Sequence, residues 1–327
     1  MLINNDFVNI KSCNIDTISY VNSIYSFILI IMLNKGCDNI LFIFNKDFFS
    51  KLKNKPKNYI IENSSPSKLR RITKKSNNII YNKRCIFYSE LINILGIKKY
   101  QGSDHESVFL FFCGIENLDF EVIEDGLINY SEFNCFRDLI KKKINIMPYG
   151  CSSIITKIWL TGLRPILFND SRNKKIEYFN LDKENSNNFE KIVNFYFKVP
   201  SFFCSTEPKT LLLTQPLSED LYITEQQKIR IYKDIINNSQ GEVFIKPHPR
   251  EKTEYSEIFK NCIVLDNDFP CEILFVKYQF NYIKTLFSTG AYIANILSPS
   301  SVISILGVTN IPKLVKRFGY IKPEILK

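Results

Sequence analysis

The sequence predicts an α/β protein of two Rossmann-like domains facing a cleft, and two observations carry this prediction. Short apolar strands alternate with helical segments along the chain, without an internal repeat. The length of 327 residues suits two domains. A domain ordinarily takes about 100–200 residues.

The first half is predicted to contain strands joined by helices. In chain order these are a strand at 7–10, an apolar helix at about 19–33, a strand at 39–44, a helix at about 89–95, and strands at 108–113 and 120–123. Gly36 closes the first helix, because glycine adopts the backbone conformation that ends helices. The chain therefore opens with a parallel βαβ unit.

The second half continues the alternation after a polar loop at 201–210. Its predicted elements are strands beginning at 211, at 243–246, 263–265 and 285–287, and helices at 224–237, 271–277 and from about 301. The loop carries Pro208 and follows Pro200, which makes it the natural domain boundary. We therefore expect domains at 1–205 and 206–327.

Residue composition limits the protein's class. Hydrophobic residues make up 45% and charged residues 23% of the chain, and the formal net charge of +10 favours anionic partners. Pairs such as Asn77-Asn78 and Asn187-Asn188 suggest AT-rich coding as one source of this charge bias. The charge alone therefore does not indicate nucleic-acid binding, and no nucleic-acid partner is expected.

The terminus, the apolar segments and the cysteines indicate a compartment. The N-terminus lacks the basic and apolar regions of a signal peptide, and the most apolar segment, 24–33, is about half the roughly 20 residues that a membrane span needs. The nine cysteines include no C-x-x-C pair and no zinc-like spacing with either histidine, which indicates reduced thiols. We expect a cytoplasmic protein, soluble or peripheral on the inner face of the cytoplasmic membrane.

A rigid cationic loop follows one predicted strand of the second half. His248 stands between Pro247 and Pro249; proline fixes its own φ at about −65° and makes the preceding residue extended. Lys246 and Arg250 add positive charge at the carboxyl end of a strand, where α/β sheets bind ligands. A histidine with a pKa near neutrality can protonate a departing phosphate there. The alternative is a hydrogen-bonded structural histidine.

Glu124, Asp125 and Gly126 form an acidic turn at the exit of the predicted strand at 120–123. A carboxylate in this position can act as general base toward a substrate hydroxyl, which contributes about 10²–10⁴-fold in rate. The competing explanation is a solvated turn. Because side chains alternate along an extended backbone, only one of the two carboxylates can point into the cleft, and either is a candidate.

Hydroxyls and a carboxylate in the second half suit a nucleotide. Ser300 and Ser301 stand at the predicted N-terminus of the last helix, a ready phosphate site, although serine is also a preferred N-cap. Ser288-Thr289 is a competing pair at another predicted strand end. Glu272, at the start of a helix, can accept ribose hydroxyls, or can simply match the helix dipole.

Taken in chain order, four short motifs resemble the motif set of bacterial sialyltransferases. They are Ile-Glu-Asp-Gly at 123–126, Lys-Pro-His-Pro at 246–249, Phe-Pro-Cys-Glu at 269–272 and Ser-Ser at 300–301. These are similar to the acidic D/E-D/E-G motif, the HP motif, the P-x-E segment and the paired Ser/Thr motif. The resemblance is to the lipooligosaccharide sialyltransferase family, with polysialyltransferases and marine-type sialyltransferases as more distant relatives.

The resemblance implies a GT-B fold and an activity. Sialic acid would be transferred with inversion from CMP-sialic acid to a terminal galactoside of a lipooligosaccharide or capsule, with α-2,3 linkage, without a metal ion or other cofactor. The domain at 1–205 would bind the acceptor and the domain at 206–327 the CMP-sugar.

The resemblance also implies residue roles. Glu124 or Asp125 would be the general base, and His248 would act as acid toward the CMP phosphate or stabilise it. Ser300-Ser301 would hold that phosphate. The residues expected to contact the CMP-sugar are Lys246 and Pro247 through their backbone at the cytosine, Pro249, Glu272 at the ribose, Ser300 and Ser301, with Gly126, Arg250, Ser288 and Thr289 as additional candidates.

Other functions stay open on the sequence. Within enzymes, the chain could transfer another CMP-activated acidic sugar such as Kdo, or add sialic acid to sialic acid as a polysialyltransferase does. A nucleic-acid-binding protein is supported only by the net charge of +10, without a recognisable binding motif. A non-catalytic relative that binds sugars is disfavoured by the intact motifs.

Overall fold

The computed structural model describes residues 7–11, 14–62, 79–130, 149–166, 170–181, 183–198, 201, 207–267, 269–308, 311–318 and 322–326. The chain forms two compact units, Met1–Tyr196 and Phe197–Lys327. The boundary predicted between residues 205 and 206 lies outside the described residues.

The N-terminal unit is an α/β unit built on a mostly parallel sheet. Its strands are β1 (Phe7–Asn9), β2 (Thr17–Val21), β3 (Ile40–Asn45), β4 (Tyr59–Glu62), β5 (Lys99–Gly102), β6 (Asp119–Ile123), β7 (Ile155–Leu160) and β8 (Ile176–Tyr178), and its α-helices are α1 (Ile24–Leu33), α2 (Lys46–Lys51), α3 (Ile79–Leu95) and α4 (Lys183–Tyr196). The strand order is β1-β4-β3-β2-β5-β6-β7-β8. Every pair is parallel except the edge pair β1–β4, so the carboxyl ends of β2 to β8 share one edge.

The C-terminal unit repeats this plan on a smaller scale. Its strands are β9 (Lys209–Leu213), β10 (Glu242–Lys246), β11 (Ile263–Val264), β12 (Tyr282–Thr285), β13 (Val302–Ile305) and β14 (Glu324–Leu326), and its helices are α5 (Glu225–Asn237), α6 (Tyr255–Ile258), α7 (Glu272–Lys277), α8 (Thr289–Leu297) and α9 (Pro312–Phe318). The order is β11-β10-β9-β12-β13-β14, with β14 alone antiparallel.

Apolar sequence explains the N-terminal core. The first five residues of β3 are buried, as a strand covered on both faces requires. Helix α1 is apolar on nearly every side and is buried along most of its length, because such a helix is stable only when covered. The ring of Phe27 packs edge-on against Phe42 and Phe44, which fixes the helix on the sheet.

The predicted helix at 19–33 is partly wrong. Residues Thr17–Val21 form the buried strand β2 between β3 and β5, and Ser23 caps α1 by accepting the backbone N–H of Ser26. The parallel βαβ unit is therefore β2-α1-β3, while the predicted first strand pairs antiparallel at the edge. Sequence periodicity could not separate a strand from the helix that follows it within one apolar run.

Two further predictions are wrong for a similar reason. The apolar run predicted as a strand at 108–113 forms a 3₁₀-helix, Ser107–Phe111, with Phe109 and Phe112 fully buried. The helix predicted from residue 301 is instead the strand β13. The strand expected at 285–287 lies earlier, at Tyr282–Thr285. Short buried runs look alike in sequence whether they are helix or strand.

Two chemical features of the described chain bear on the expected compartment. The described cysteines Cys37, Cys85, Cys113, Cys151, Cys262 and Cys271 are free thiols. Within the described ranges, no helix combines the length and the hydropathy that crossing a membrane requires.

Candidate active site

Both main motifs follow parallel strands at their carboxyl ends. Glu124 and Asp125 follow β6, and His248 follows β10. In open α/β sheets this edge is where ligands bind, since loops there converge above the strands.

Glu124 is sealed inside the N-terminal unit, with 0% of its surface exposed. Its Oε2 accepts hydrogen bonds from the backbone N–H of Thr161 (2.5 Å), the Thr161 hydroxyl (2.9 Å) and the Tyr130 hydroxyl (2.8 Å). Burial raises the pKa of Glu124 to about 7, against these hydrogen bonds, which lower it. The alternative of a solvated acidic turn is therefore wrong for Glu124.

Asp125 turns toward a different set of side chains. Its Oδ2 lies 3.5 Å from Nε2 of His105, and Ser23 and Asn22 also hydrogen-bond to its carboxylate. Burial raises the pKa of Asp125, and the charge of His105 opposes that rise, whereas Glu106 adds to it. As the strand alternation requires, the two neighbouring carboxylates occupy different surroundings.

Gly126 has a conformational reason to be glycine. Its φ of 134° lies in the region that other residues rarely adopt. The turn is closed by the Asp125 N–H, which donates to Oδ1 of Asn129 at 2.9 Å, and by the Asn129 N–H, which donates to the Gly126 carbonyl at 3.1 Å. This local geometry aims the two preceding carboxylates.

His105, which the sequence reasoning missed, is held from two sides. The Ser103 hydroxyl lies 2.6 Å from Nδ1, and the imidazole stacks on the ring of Tyr149 with centroids 4.9 Å apart. Asp104 brings that ring into place, because its carboxylate accepts the backbone N–H groups of Tyr149 and Gly150, each at 2.6 Å. Only the rarity of histidine hints at this site in the sequence, because the strand β5 that precedes His105 was not predicted.

The loop that carries the Lys-Pro-His-Pro motif at 246–249, called the HP loop, is fixed through its backbone. The His248 N–H donates to Oε2 of Glu251 at 2.7 Å, and the Lys252 N–H donates to Oε1 of Glu219 at 2.8 Å. Both carboxylates lie near Nζ of Lys228, Glu219 at 2.9 Å and Glu251 at 3.8 Å, and the Lys228 side chain is fully buried. These buried groups, like His105, were missed because no motif contains them.

The imidazole of His248 is half-buried and neutral at physiological pH. Burial, and secondly the nearby Arg250 guanidinium, lower its pKa to about 4, so the expected value near neutrality is wrong for the protein alone. The backbone N–H of Arg250 donates to Nδ1 of His248 at 3.2 Å, so the neutral ring carries its proton on Nε2. Arg250 itself is exposed and paired with Asp220.

Lys246 and Pro247 are buried, whereas Pro249 is exposed. The Nζ of Lys246 lies 4.7 Å from the centre of the Phe269 ring and donates to the Pro247 carbonyl at 3.1 Å. The Lys246 carbonyl accepts the Thr214 N–H at 3.2 Å. The backbone expected at the cytosine thus already takes part in the sheet and the loop.

Glu272 begins α7, next to the start of α8. Burial raises its pKa, and the positive charge of Lys246 opposes the rise. The two helix starts are close, since a Cβ atom at Gly290 would lie 2.7 Å from Sγ of Cys271. The structure therefore brings Glu272 beside Ser288-Thr289.

The two serine pairs lie at opposite ends of the parallel strands. Ser288-Thr289 stands at the carboxyl ends, and Ser300-Ser301 stands at the amino ends. Ser288 caps α8 just after β12, at the same edge as His248, with its Oγ accepting the Gly290 N–H at 3.2 Å. Ser301 precedes β13 at the other edge and is tied to the Phe280 carbonyl at 2.6 Å. β12 has 4 residues, and a strand rises about 3.3 Å per residue, so the two ends are roughly 13 Å apart. Because β13 replaces the predicted helix, Ser300 and Ser301 do not cap one.

Within the described residues, no group of three or more histidine, cysteine, aspartate or glutamate side chains is arranged to hold a metal ion.

Comparison with known proteins gives a family match over most of the chain. The model of the family described as Glycosyltransferase family 52 matches residues 81–305, which include the acidic turn and the HP loop. A protein of Haemophilus influenzae (strain ATCC 51907 / DSM 11121 / KW20 / Rd), described as an uncharacterized protein, is 34% identical over 230 residues, which cover 68% of this chain and 72% of the relative.

Solved structures share the fold. A UDP-GlcNAc 2-epimerase from Methanocaldococcus jannaschii matches with a TM-score of 0.56 and 17% identity, covering 94% of this chain and 87% of that chain. A UDP-GlcNAc 2-epimerase from Neisseria meningitidis bound to UDP-GlcNAc matches with a TM-score of 0.54 and 10% identity, covering 92% and 85%. Such low identities concern the fold alone. The predicted α/β fold of GT-B type, with two Rossmann-like units, is confirmed.

Proposed function

The chain belongs to glycosyltransferase family 52, the bacterial lipooligosaccharide sialyltransferase family, and from that premise we propose that it transfers sialic acid from CMP-sialic acid to a terminal galactoside. The reaction proceeds with inversion, without a metal ion, and forms an α-2,3 linkage in a lipooligosaccharide or capsule. The observation that carries the proposal is the chemistry at two strand edges. The carboxyl end of β6 presents the carboxylate of Asp125, and the carboxyl end of β10 presents the hydrogen-bond donor His248.

Asp125 acts as the general base in this proposal. Glu124 is less suited, because its Oε2 already accepts three hydrogen bonds and its surface is 0% exposed. Asp125 keeps 15% of its side chain exposed and has donors around it that favour the ionised form. It takes the proton of the acceptor hydroxyl as that oxygen attacks the anomeric carbon.

His248 stabilises the leaving group. The sialyl–phosphate bond breaks while negative charge grows on the CMP phosphate, so hydrogen-bond donors are needed there. With a pKa of about 4, the imidazole is neutral and offers Nε2–H as a donor. An anionic phosphate beside the ring would raise that pKa and strengthen the interaction.

Ser288 and Thr289 bind the phosphate in this proposal. They begin the nine-residue helix α8 at the edge that carries His248, and a helix N-terminus attracts anions. Glu272, beside them, accepts the ribose hydroxyls, and the backbone near Lys246 contacts the cytosine. The placement of Ser300 and Ser301 at the opposite edge argues against the phosphate role first expected for them.

One unsatisfied acceptor beside Asp125 suits a polyhydroxylated ligand. Asn22 is half-buried, and its Oδ1 has no hydrogen-bond partner among the described residues. Buried acceptors ordinarily have partners, and a sugar hydroxyl is a donor of the right kind. This atom supports the assignment of the N-terminal unit to the acceptor. The enzyme would work in the cytoplasm, free or against the inner face of the membrane.

The proposal is tested with purified protein, CMP-sialic acid and a panel of galactosides, with CMP release and product linkage as readouts. We expect CMP release that depends on a galactoside and persists in EDTA. Parallel reactions with CMP-Kdo, and with sialylated acceptors, test the two other CMP-sugar functions. Transfer of Kdo, or transfer only to sialylated acceptors, would replace the proposal with one of these.

A further inference from the structure

The imidazole of His105 and the carboxylate of Asp125 meet because of strand register. β5 and β6 are parallel neighbours, with Gly102 opposite Val122. His105 and Asp125 each lie three positions beyond this pair, so their side chains reach the same level above the sheet. The resulting distance from Nε2 to Oδ2 is 3.5 Å.

The surroundings of His105 fix which atom faces Asp125. The Ser103 hydroxyl lies 2.6 Å from Nδ1 and 3.4 Å from Nε2. When it donates to Nδ1 of a neutral ring, the ring proton resides on Nε2, and a doubly protonated ring also carries a proton there. Stacking on Tyr149 holds the plane of the ring. Holding the imidazole in one orientation costs side-chain conformational entropy. A histidine without a function at this strand end would not need these contacts.

We propose that His105 is a positioning residue for Asp125, directing its Nε2–H toward Oδ2 so that the carboxylate stays ionised and oriented for the acceptor hydroxyl. This inference rests on the proposed function for the general-base role of Asp125 and for the identity of the acceptor. The pairing itself is a property of the folded N-terminal unit.

The electrostatic setting makes such a partner necessary. Oε1 of Glu106 lies 3.8 Å from Nε2 of His105. The same oxygen accepts a hydrogen bond from the side-chain amide of Asn22 at 3.2 Å. The charge of Glu106 raises the pKa of Asp125, in the same direction as burial. His105 opposes both effects.

The other titratable groups near the pair are Asp104, Glu124 and Tyr20, and burial raises the pKa of each. The charge of Asp125 raises the pKa of Glu124 and of Tyr20 further. Loss of the imidazole would leave Asp125 with burial and the charge of Glu106, which both favour its protonated form.

The test compares His105→Phe with His105→Gln. Phenylalanine keeps a ring that can stack on Tyr149 and removes the donor, whereas glutamine keeps an N–H donor near the position of Nε2. Since His105 lowers the pKa of Asp125, its removal moves the acidic limb of the kcat/KM profile to higher pH. One pKa unit corresponds to a tenfold change. We expect His105→Phe to lose more activity at pH 6 than at pH 9, and His105→Gln to show a smaller difference between the two pH values.

A titration independent of turnover accompanies the kinetics. The carboxyl carbons of ¹³C-labelled aspartates are followed by NMR against pH, with Asp125 identified by its absence in Asp125→Asn. A higher Asp125 pKa in His105→Phe than in wild type supports the pairing even if no transfer to galactosides is found. An unchanged Asp125 pKa, or a loss of activity that is equal at every pH, would overturn it. If His105→Phe fails to fold, the same titration of His105→Gln against wild type decides the question.

Discussion

Asp125 in the N-terminal unit is held by side chains, whereas His248 in the C-terminal unit is held through its backbone. Asp125 contacts Asn22, Ser23 and His105, which follow two different strands. His248 is fixed by its own N–H on the buried carboxylate of Glu251. The carboxylate of Asp125 is thus surrounded by polar side chains, whereas the loop of His248 is tied to carboxylates that share the buried cation Lys228. In the proposed reaction, the first site accepts a proton and the second binds an anion.

The largest expected effect is at the carboxylates. Asp125→Asn should lower kcat by about 10²–10⁴-fold, the usual contribution of a general base. Glu124→Gln should cost far less, because the amide oxygen can still accept from Thr161 and Tyr130. Steady-state kinetics of the two isosteric variants, with circular dichroism to verify folding, make the comparison. A greater loss in Glu124→Gln would transfer the base role to Glu124.

The next effect tests how the HP loop is supported. Lys228→Met leaves Glu219 and Glu251 without their shared cation, and removing one partner of a buried ionic group ordinarily costs about 3–5 kcal/mol. Chemical denaturation should show this loss of stability. Lys233→Met, on the exposed side of the same helix α5, is the matched control. Equal stability of the two variants would show that the network does not support the loop.

The smallest effect distinguishes the two serine pairs. Ser288→Ala removes a proposed hydrogen bond to an anionic phosphate, and a bond to a charged group contributes about 1.5–3 kcal/mol. The KM for CMP-sialic acid should therefore rise by about tenfold or more. Ser300→Ala, at the opposite edge, should leave that KM unchanged. The reverse pattern would restore the phosphate site to Ser300-Ser301.

The sequence predicted the residues of local motifs and missed those that meet only through distant contacts. The loop around His248 could be recognised in the sequence because two prolines and two cations lie within five consecutive residues. The partners of Asp125 were not, since His105 and Asn22 reach it only through strand order and register. Lys228 gave no signal either, because a lysine on an amphipathic helix ordinarily points to solvent.

The fold shows a related limit. Alternating strands and helices predicted the α/β class correctly, and the predicted strands at 39–44, 120–123 and 243–246 closely match β3, β6 and β10. The helix predicted from residue 301 failed because a short, largely apolar segment fits either structure. Because that helix is absent, Ser300 and Ser301 lie at the amino ends of the parallel strands, opposite the end that carries His248.

The central claim is that Asp125 and His248 serve one reaction, the transfer of sialic acid from CMP-sialic acid to a galactoside. The most direct measurement is CMP release with CMP-sialic acid and a galactoside, by wild type, Asp125→Asn and His248→Ala at equal concentration. The account predicts steady release by wild type and a loss of about 10²-fold or more in each variant, with unchanged melting temperatures. Release by either variant at the wild-type rate, or no release by wild type, would contradict it.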